Sequence, residues 1–272
     1  MGSRGPGQRS IPRLRRRAGG RYDGGRARLL EAGVAVGIRG IVWSVAPGGG
    51  LRQEAQALLR RALGNNGAMD ALDRLLDDLA RAQIGTTFNP YRDADPALDR
   101  PGAPAIRLAN LEDHLRAQPH PALLLVGEAA GYAGCRFSGV AFTSERSLSP
   151  ERWSSLDPRG HVEHSASIVH RILDELDLED ETILWNVCPT HPAGSTPLSN
   201  RTPTRDELAA GRPFLVRLMS ILQPALVVAV GLHAAHALPR LAAIRHPANG
   251  GAAAFRAGLA AVAATSNRPD RR

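Results

Sequence analysis

Three short segments of the chain consist largely of apolar residues, and stretches with helical spacing of apolar residues separate them. These segments cover residues 123–126, 182–187 and 226–230. A strand that is apolar along its length is buried on both faces, whereas a strand with one face in water alternates apolar and polar residues. Because the buried strands alternate with helices, the sequence predicts a parallel sheet with helices on both sides.

Helical periodicity and a short fourth strand at 242–244 complete this pattern. The predicted helices span residues 53–63, 68–82, 108–118, 165–176, 205–222, 234–238 and 252–264. Four leucines would share one face of the second helix: Leu72, Leu75, Leu76 and Leu79. Thr204 and Glu207 have capping-box spacing, which predicts a helix start at residue 205. We expect an α/β fold, namely a three-layer α/β/α sandwich with a central, mostly parallel four-stranded sheet.

Charge is distributed unevenly along the 272 residues. Residues 1–68 hold 13 arginines and three acidic residues, a net charge of +10, whereas residues 69–272 hold 21 arginines and 23 acidic residues, a net charge of −2. The basic character therefore belongs to the N-terminal segment. Its Gly- and Arg-rich composition predicts a disordered extension over residues 1–67, followed by a folded domain over 68–265 and a disordered tail over 266–272.

The chain has two cysteines, Cys135 and Cys188, and no Cys-x-x-Cys pair. We therefore expect two buried thiols with no disulfide framework, no iron–sulfur cluster, no metal and no other cofactor. The apolar stretch 29–46 contains Glu31 and Arg39 and is too short to span a membrane. We expect a cytoplasmic monomer that does not associate with membranes.

Polar motifs follow the predicted strands. The first strand runs into Gly127-Glu128-Ala-Ala-Gly, and the second ends in Asn186, with Asn-Arg-Thr-Pro-Thr at 200–204 downstream. The fourth is followed by His246-Pro-Ala-Asn-Gly-Gly. Because the carboxyl ends of parallel strands meet at one edge of a sheet, these motifs should converge there.

In this order the motifs resemble those of the uracil-DNA glycosylase superfamily, most closely the bacterial branches with a Gly-Glu-Ala-Pro-Gly first motif. The resemblance covers residues 84–262. It implies hydrolysis of the N-glycosidic bond of uracil in DNA, a step of base excision repair, with uracil-containing DNA as the partner.

The resemblance also implies a role for each motif residue. Glu128 would stabilise the cationic sugar and orient the attacking water, and His246 would donate a hydrogen bond to uracil O2. Asn186 would pair with uracil O4 and N3–H. The other expected base contacts come from Gly127, Tyr132 and Phe142, and the expected DNA contacts come from Arg201, Asn249, Gly250 and Gly251.

The chain departs from the family pattern at several positions. Ala130 replaces the proline of the first motif, and Ala248-Asn249 follows His-Pro where a serine is usual, so that a hydrogen bond from this serine is lost or moves to Asn249. The acid that family 4 enzymes carry after the first motif has no match near Gly134, and their four cluster cysteines are absent.

Alternatives remain open from the sequence alone. Glu128 and His246 could be ordinary loop residues, Phe142 could be a core residue, and Arg201 could form a structural ion pair. The whole domain could bind a nucleobase or DNA without cleaving it, or be an unrelated flavodoxin-like nucleotide-binding protein. A Cys188–His191 nucleophile is a further possibility, although an oxyanion motif is missing.

Overall fold

The computed structural model describes residues 67–266 and, before them, residues 35–38 and 41–44. Two strands occupy the earlier part, β1 (Ala35–Ile38) and β2 (Ile41–Ser44), and they pair antiparallel. They belong to the first of the two units into which the chain divides, residues 1–47 and residues 48–272. The sequence pattern does not predict these two strands.

Some predictions fall outside the described residues. They are the disorder of the remaining residues in 1–66, the helix at 53–63 and the disorder of residues 267–272. The predicted domain boundaries therefore stay predictions. Within the described part of the chain, no helix is both long and apolar enough to cross a membrane.

Four parallel strands form the sheet of the second unit. They are β3 (Leu123–Ala129), β4 (Thr182–Cys188), β5 (Leu226–Val230) and β6 (Ala242–Ile244). Their order across the sheet is β4-β3-β5-β6. In this order β4 lies beside β3 at one edge of the sheet, and β6 lies beside β5 at the other edge. The connections after β3 and after β5 therefore run in opposite directions, which leaves a crevice between the carboxyl ends of these two strands. Ligands of open parallel sheets bind in such a crevice.

Helices cover both faces of this sheet. They are α1 (67–81), α2 (Ala103–Ala117), α3 (Cys135–Ser138), α4 (His164–Glu175), α5 (Arg205–Leu222), α6 (Leu232–Ala237) and α7 (Ala252–Ser266). Successive side chains of a strand point to opposite faces. Leu124 and Val126 of β3 accordingly pack with α1, α2 and α5, whereas Leu123 and Leu125 pack with α4 and α7. The predicted three-layer α/β/α architecture is confirmed.

Two helix starts illustrate what local sequence determines. At the start of α5 the Glu207 N–H donates to Thr204 Oγ1 (3.2 Å) and the Thr204 N–H donates to the Glu207 carboxylate (2.8 Å), so the predicted capping box is confirmed. Helix α2 begins at Ala103, five residues before the predicted start. Pro104 lies in its first turn, where a missing N–H costs nothing, and therefore does not prevent the helix.

Strand β3 runs three residues past its predicted end. Gly127 pairs with Asn186 and Ala129 pairs with Cys188, so Glu128 lies on the strand and not in the loop where the sequence pattern places it. Glycine and glutamate are both depleted in strands, which hides this extension from sequence reasoning. Because it is part of the sheet, Glu128 has a more rigid backbone than a loop residue would have.

A buried ion-pair cluster anchors the loop that follows β3. Asp99 accepts hydrogen bonds from Arg136 of α3 at 2.6 and 3.1 Å and lies 3.4 Å from the Arg107 guanidinium of α2. All three side chains are at most 1% exposed. Burial lowers the pKa of Arg107 to about 10, which still leaves it charged at neutral pH. The cluster therefore holds α3 in place beside the carboxyl edge of the sheet.

Candidate active site

A cavity of about 640 Å³ opens at the carboxyl edge of the sheet. It is formed by the ends of β3 and β4 and by the segments that follow β3, β5 and β6. Seven of the residues predicted from the motifs line it: Gly127, Glu128, Tyr132, Phe142, Asn186, His246 and Asn249. The structure therefore brings the three motifs together at one edge of the sheet.

Gly127, Asn186 and Phe142 form the most closely packed part of the cavity wall. A Cβ at position 127 would lie 2.5 Å from Asn186 Oδ1 and 2.7 Å from the Phe142 ring. These distances are too short for any side chain, so glycine is required here because of close approach. The Asn186 amide and the Phe142 ring consequently lie side by side over the backbone of β3.

The side-chain amide of Asn186 has no hydrogen-bond partner among the described residues, although the residue is only 5% exposed. Buried amides in a protein core are nearly always paired. Here both the donor and the acceptor of the amide remain available to a ligand in the cavity.

Phe142 lies in the left-handed backbone region, with φ of 50°. For a bulky residue this conformation is uncommon and costs on the order of 1–3 kcal/mol. The ring is buried, and its centroid lies 6.0 Å from that of His246 with a 39° tilt. The strained backbone thus holds an aromatic face at the cavity beside the imidazole.

The imidazole of His246 is held in one tautomer. The Ala248 N–H donates to Nδ1 at 3.2 Å, so the ring proton of the neutral form resides on Nε2. Burial and the neighbouring Arg245 lower the pKa of His246 below its ordinary value of 6.5. His246 is therefore a neutral side chain at pH 7 whose Nε2–H is free to donate.

Glu128 contributes a carboxylate to the edge of the cavity. Burial raises its pKa above the ordinary value of 4.5, and the electrostatic interaction with His233, whose Nδ1 lies 3.7 Å from Oε1, opposes that shift. One quarter of the Glu128 side chain remains exposed. The exposed part of this carboxylate is accessible to water in the cavity, and its ionised form can accept a proton.

The comparisons with known proteins agree with this geometry. The family model of the uracil DNA glycosylase superfamily matches residues 115–267, more than half of the chain. The chain belongs to this superfamily. Membership supports a DNA glycosylase-like hydrolase function.

The solved structures that match include the crystal structure of wild-type SMUG2 from Pedobacter heparinus, with a TM-score of 0.51 and 11% identity. The match covers 73% of this chain and 99% of the SMUG2 chain. At this identity the likeness concerns the fold. The search of curated proteins found no match.

Two departures from the superfamily motifs have a structural explanation. The Ala130 N–H donates to the Cys188 carbonyl at 3.3 Å, a bond that a proline at this position would lack. After His246, the Ala248 N–H donates to His246 Nδ1, and no side-chain hydrogen bond from Asn249 is present within the described part of the chain. Both substitutions therefore leave the local structure supported.

Three of the four predicted DNA contacts lie in the loop after β6. Asn249 and Gly250 have left-handed backbone conformations, with φ of 53° and 74°. A Cβ at position 251 would lie only 2.0 Å from the His246 carbonyl oxygen, so this position has no room for a side chain. Gly250 and Gly251 do not line the cavity. Arg201 also lies outside it and donates two hydrogen bonds of 2.7 Å to Glu207, the structural ion pair left open by the sequence. Its contact with DNA stays a prediction.

The residues that line the cavity and that the motifs did not reveal include Glu163, Leu232 and His233. Glu163 precedes α4 and accepts a hydrogen bond from Ser165, and its carboxyl lies beside Gly134, where a side chain would collide with it. An acid is thus present near Gly134 after all, but it comes from a distant segment. Burial raises the pKa of Glu163. Only the fold reveals this proximity, since 29 positions separate the two residues.

The Cys188–His191 alternative is not supported by the contacts of either side chain. Cys188 Sγ contacts Thr190, and His191 Nδ1–H donates to the Ala130 carbonyl at 2.9 Å. Both cysteines are buried and unpaired, as predicted. Across residues 67–266, no group of three or more His, Cys, Asp or Glu side chains could hold a metal ion.

Proposed function

We propose that the protein is a DNA glycosylase that hydrolyses the N-glycosidic bond of deoxyuridine in DNA, a step of base excision repair. The observation that carries this proposal is the unpaired amide of Asn186 beside the ring of Phe142 and the Nε2–H of His246. This set offers a stacking face, a hydrogen-bonding edge and a neutral donor to one flat ring.

Base selection follows from the chemistry of the amide. The Asn186 NH₂ group donates to uracil O4, and its Oδ1 accepts from uracil N3–H. Cytosine presents an amino group and a bare N3 at the same positions, so both contacts would be mismatched. Tyr132 closes the side of the pocket where a thymine methyl group would lie. A nucleotide must leave the duplex for its base to reach such a pocket.

The proposed reaction is a substitution at C1′ of the deoxyribose. As the bond between C1′ and N1 breaks, its electron pair moves into the base, and negative charge grows on O2. The His246 Nε2–H stabilises that charge, a contribution of about two to three decades in rate. Glu128 stabilises the positive charge that develops on the sugar and accepts a proton from the water that attacks C1′. The base leaves as an anion and takes up a proton from solvent, and Glu128 returns its proton to solvent. The products are an abasic site and free uracil.

The loop after β6 provides the proposed phosphate contacts. Backbone N–H groups at the start of a helix attract phosphate, and Asn249, Gly250 and Gly251 directly precede α7. Arg201 is the fourth proposed DNA contact. These contacts would fix the register of the DNA without reading its sequence. Action as a monomer in the cytoplasm stays a prediction.

A base-release assay tests the proposal. The protein is incubated with oligonucleotides that differ in one base, which is uracil, thymine, cytosine, hypoxanthine or xanthine. Free base and abasic sites are then measured. Release of uracil but not of thymine or cytosine supports the proposal. Binding without abasic sites would identify a binding module, and release of another base without uracil would refute the choice of substrate.

A further inference from the structure

Phe142 has a backbone conformation that is unfavourable for a bulky side chain. Its φ of 50° lies in the left-handed region, where aromatic residues are rare. Such a conformation persists only where the surrounding contacts hold it. Because the Phe142 ring is also part of the cavity wall, the contacts that hold this backbone decide where the ring lies.

Thr143 provides a contact that spans Phe142. The Thr143 hydroxyl donates to the Ala141 carbonyl at 3.1 Å, so a side-chain hydrogen bond joins the two chain neighbours of Phe142. Local bonds of this kind between a side chain and the backbone favour particular turn conformations. Thr143 is only 6% exposed, so water competes little for the bond. The bond therefore restricts the backbone angles available to Phe142.

The Thr143 hydroxyl also contacts helix α4 through His170. His170 Nε2 lies 3.3 Å from Thr143 Oγ1, and Nδ1 lies 2.5 Å from the Glu179 carboxylate. A hydroxyl has one hydrogen, so an oxygen that donates to the Ala141 carbonyl accepts from the ring. His170 then donates from both ring nitrogens, and the carboxylate of Glu179 balances the charge of such a ring. Hydrogen bonds thus connect Glu179 to Thr143 through His170.

None of Thr143, His170 and Glu179 lines the cavity. They do not reach a bound base, so an effect on the reaction would act through Phe142. The ring of Phe142 lies over Gly127, where a Cβ would come within 2.7 Å of it, and its centroid is 6.0 Å from that of His246. A change in the backbone angles of Phe142 would move the ring away from this place.

We propose that Thr143 and His170 are positioning residues that hold the Phe142 ring where it stacks on the base. This inference rests on the proposed function, since the base in question is the one that the cavity releases. Without the Thr143 hydroxyl, the backbone of Phe142 would relax toward negative φ, and the ring would leave the face of the base. Release of uracil should then slow, although every residue that contacts the base is still present.

The first test replaces the Thr143 hydroxyl by a methyl group and measures single-turnover release of uracil at saturating protein. Thr143→Val should slow release about tenfold, the order expected for the loss of one base–aromatic stack. Thr143→Ser keeps the hydroxyl and should restore most of the rate. His170→Ala leaves the bond to Ala141 in place and should slow release less, by about threefold.

Thr182→Val is the matched control for this substitution. Thr182 is also buried, and its hydroxyl donates to the Leu178 carbonyl at 2.7 Å. It is the first residue of β4, at the end of the strand away from the cavity. Thr182→Val should therefore leave the rate of uracil release unchanged.

A double variant distinguishes positioning from a general structural effect. Phe142→Leu removes the aromatic ring, so adding Thr143→Val to it should slow release by less than about twofold more, whereas independent effects would multiply. Equal slowing by Thr143→Val in both backgrounds, or the same loss in Thr182→Val, would overturn the positioning role. An unchanged rate in His170→Ala would overturn the part assigned to His170.

A measurement without DNA separates this inference from the proposed function. Cross-relaxation in NMR spectra between the ring protons of Phe142 and His246 reports the proximity of the two rings. It should be present in the wild type and in Thr143→Ser and be largely lost in Thr143→Val. If the wild type releases no uracil, the proposed function fails, and this measurement still decides whether Thr143 positions the ring. Unchanged cross-relaxation in Thr143→Val would overturn the proposal.

Discussion

Asn186 and His246 each have a polar group without a protein partner, and in each case the surrounding backbone explains the orientation of the side chain. Asn186 lies opposite Gly127 in the β3–β4 pairing, and the Ala248 N–H holds His246 in the tautomer that carries its proton on Nε2. The donor and acceptor pattern of the cavity is thus set by the sheet register and by one backbone bond. Such a preorganised pattern can discriminate among bases.

The first prediction concerns base choice. Asn186→Asp should reduce uracil release by at least tenfold and allow release of cytosine, because a carboxyl group can accept from the cytosine amino group where the amide NH₂ would oppose it. Rates on paired uracil and cytosine oligonucleotides measure both effects. Unchanged uracil release would show that Asn186 does not read the base.

The second prediction concerns pH. Glu128 must be ionised to accept a proton, and its pKa is raised by burial, so kcat/KM should rise with pH through that pKa and level off above it. A protonated His233 favours the ionised form of Glu128. Removing it in His233→Ala should raise the pKa of Glu128 further and move the rise to higher pH, while the plateau changes less than about twofold.

A pH–rate profile checks this second prediction, with His236→Ala as the control. His236 is exposed on the same helix α6 and does not line the cavity, so its replacement should leave the profile in place. A rise that moves to lower pH in His233→Ala, or does not move at all, contradicts the account of Glu128.

At the scale of the secondary-structure elements, the start of α5 depends on a buried carboxylate. Glu207 pairs with Arg201 and caps the helix, and these contacts lower its pKa to about 2. The folded-state pKa is thus below the unfolded value of about 4.5. The stabilisation is therefore complete above that unfolded value and is lost as the pH falls toward 2.

The third prediction follows from this linkage. Glu207→Gln should lower the free energy of unfolding by about 2–4 kcal/mol at pH 7, and the difference from the wild type should shrink as the pH falls below 4.5. Arg159→Ala is the control, since it removes a solvent-exposed pair with Asp157 and should leave the free energy of unfolding nearly unchanged. Denaturant unfolding at several pH values measures both variants, and a difference that persists at pH 2 would contradict the linkage.

The elements that could be predicted from the sequence are those with a local signal. The capping box marks the start of α5, and apolar runs mark the strands, because both depend on neighbouring residues. The continuation of β3 to Ala129 depends on pairing with β4, and Glu163 reaches Gly134 only through packing of the folded chain. Single-sequence periodicity contains neither kind of information. The motif residues of the cavity could be identified because the order of the motifs along the chain resembles that of the superfamily. Periodicity alone does not show that these motifs belong to one site.

At the scale of the whole molecule, the net positive charge and the cavity belong to different parts of the chain. Residues 1–47 hold ten arginines and two acidic residues, a net charge of +8, whereas residues 48–272 hold 24 of each and are formally neutral. The cavity lies in the second unit. The net positive charge, which can attract a phosphate backbone, thus belongs to a different part of the chain from the cavity.

The fourth prediction is that deletion of residues 1–47 leaves the thermal midpoint and the single-turnover rate at saturation unchanged, weakens DNA affinity and flattens its dependence on salt concentration. Full-length protein with its ten N-terminal arginines changed to glutamine is the matched control, and it should behave like the deletion. A truncated protein that does not fold, or a salt dependence equal to that of the full chain, would contradict this division of labour.

The central claim is that the cavity performs hydrolysis and that Glu128 takes part in it. Its most direct test is single-turnover release of uracil from a defined oligonucleotide by the wild type and by Glu128→Gln, with DNA affinity measured in parallel. The glutamine keeps the shape and hydrogen-bonding capacity of the side chain and removes its charge. We predict that the wild type leaves an abasic site, and that Glu128→Gln binds with an affinity within about threefold of the wild type but reacts about two to four decades more slowly. Full activity in Glu128→Gln, or no release of uracil by the wild type, would contradict the account.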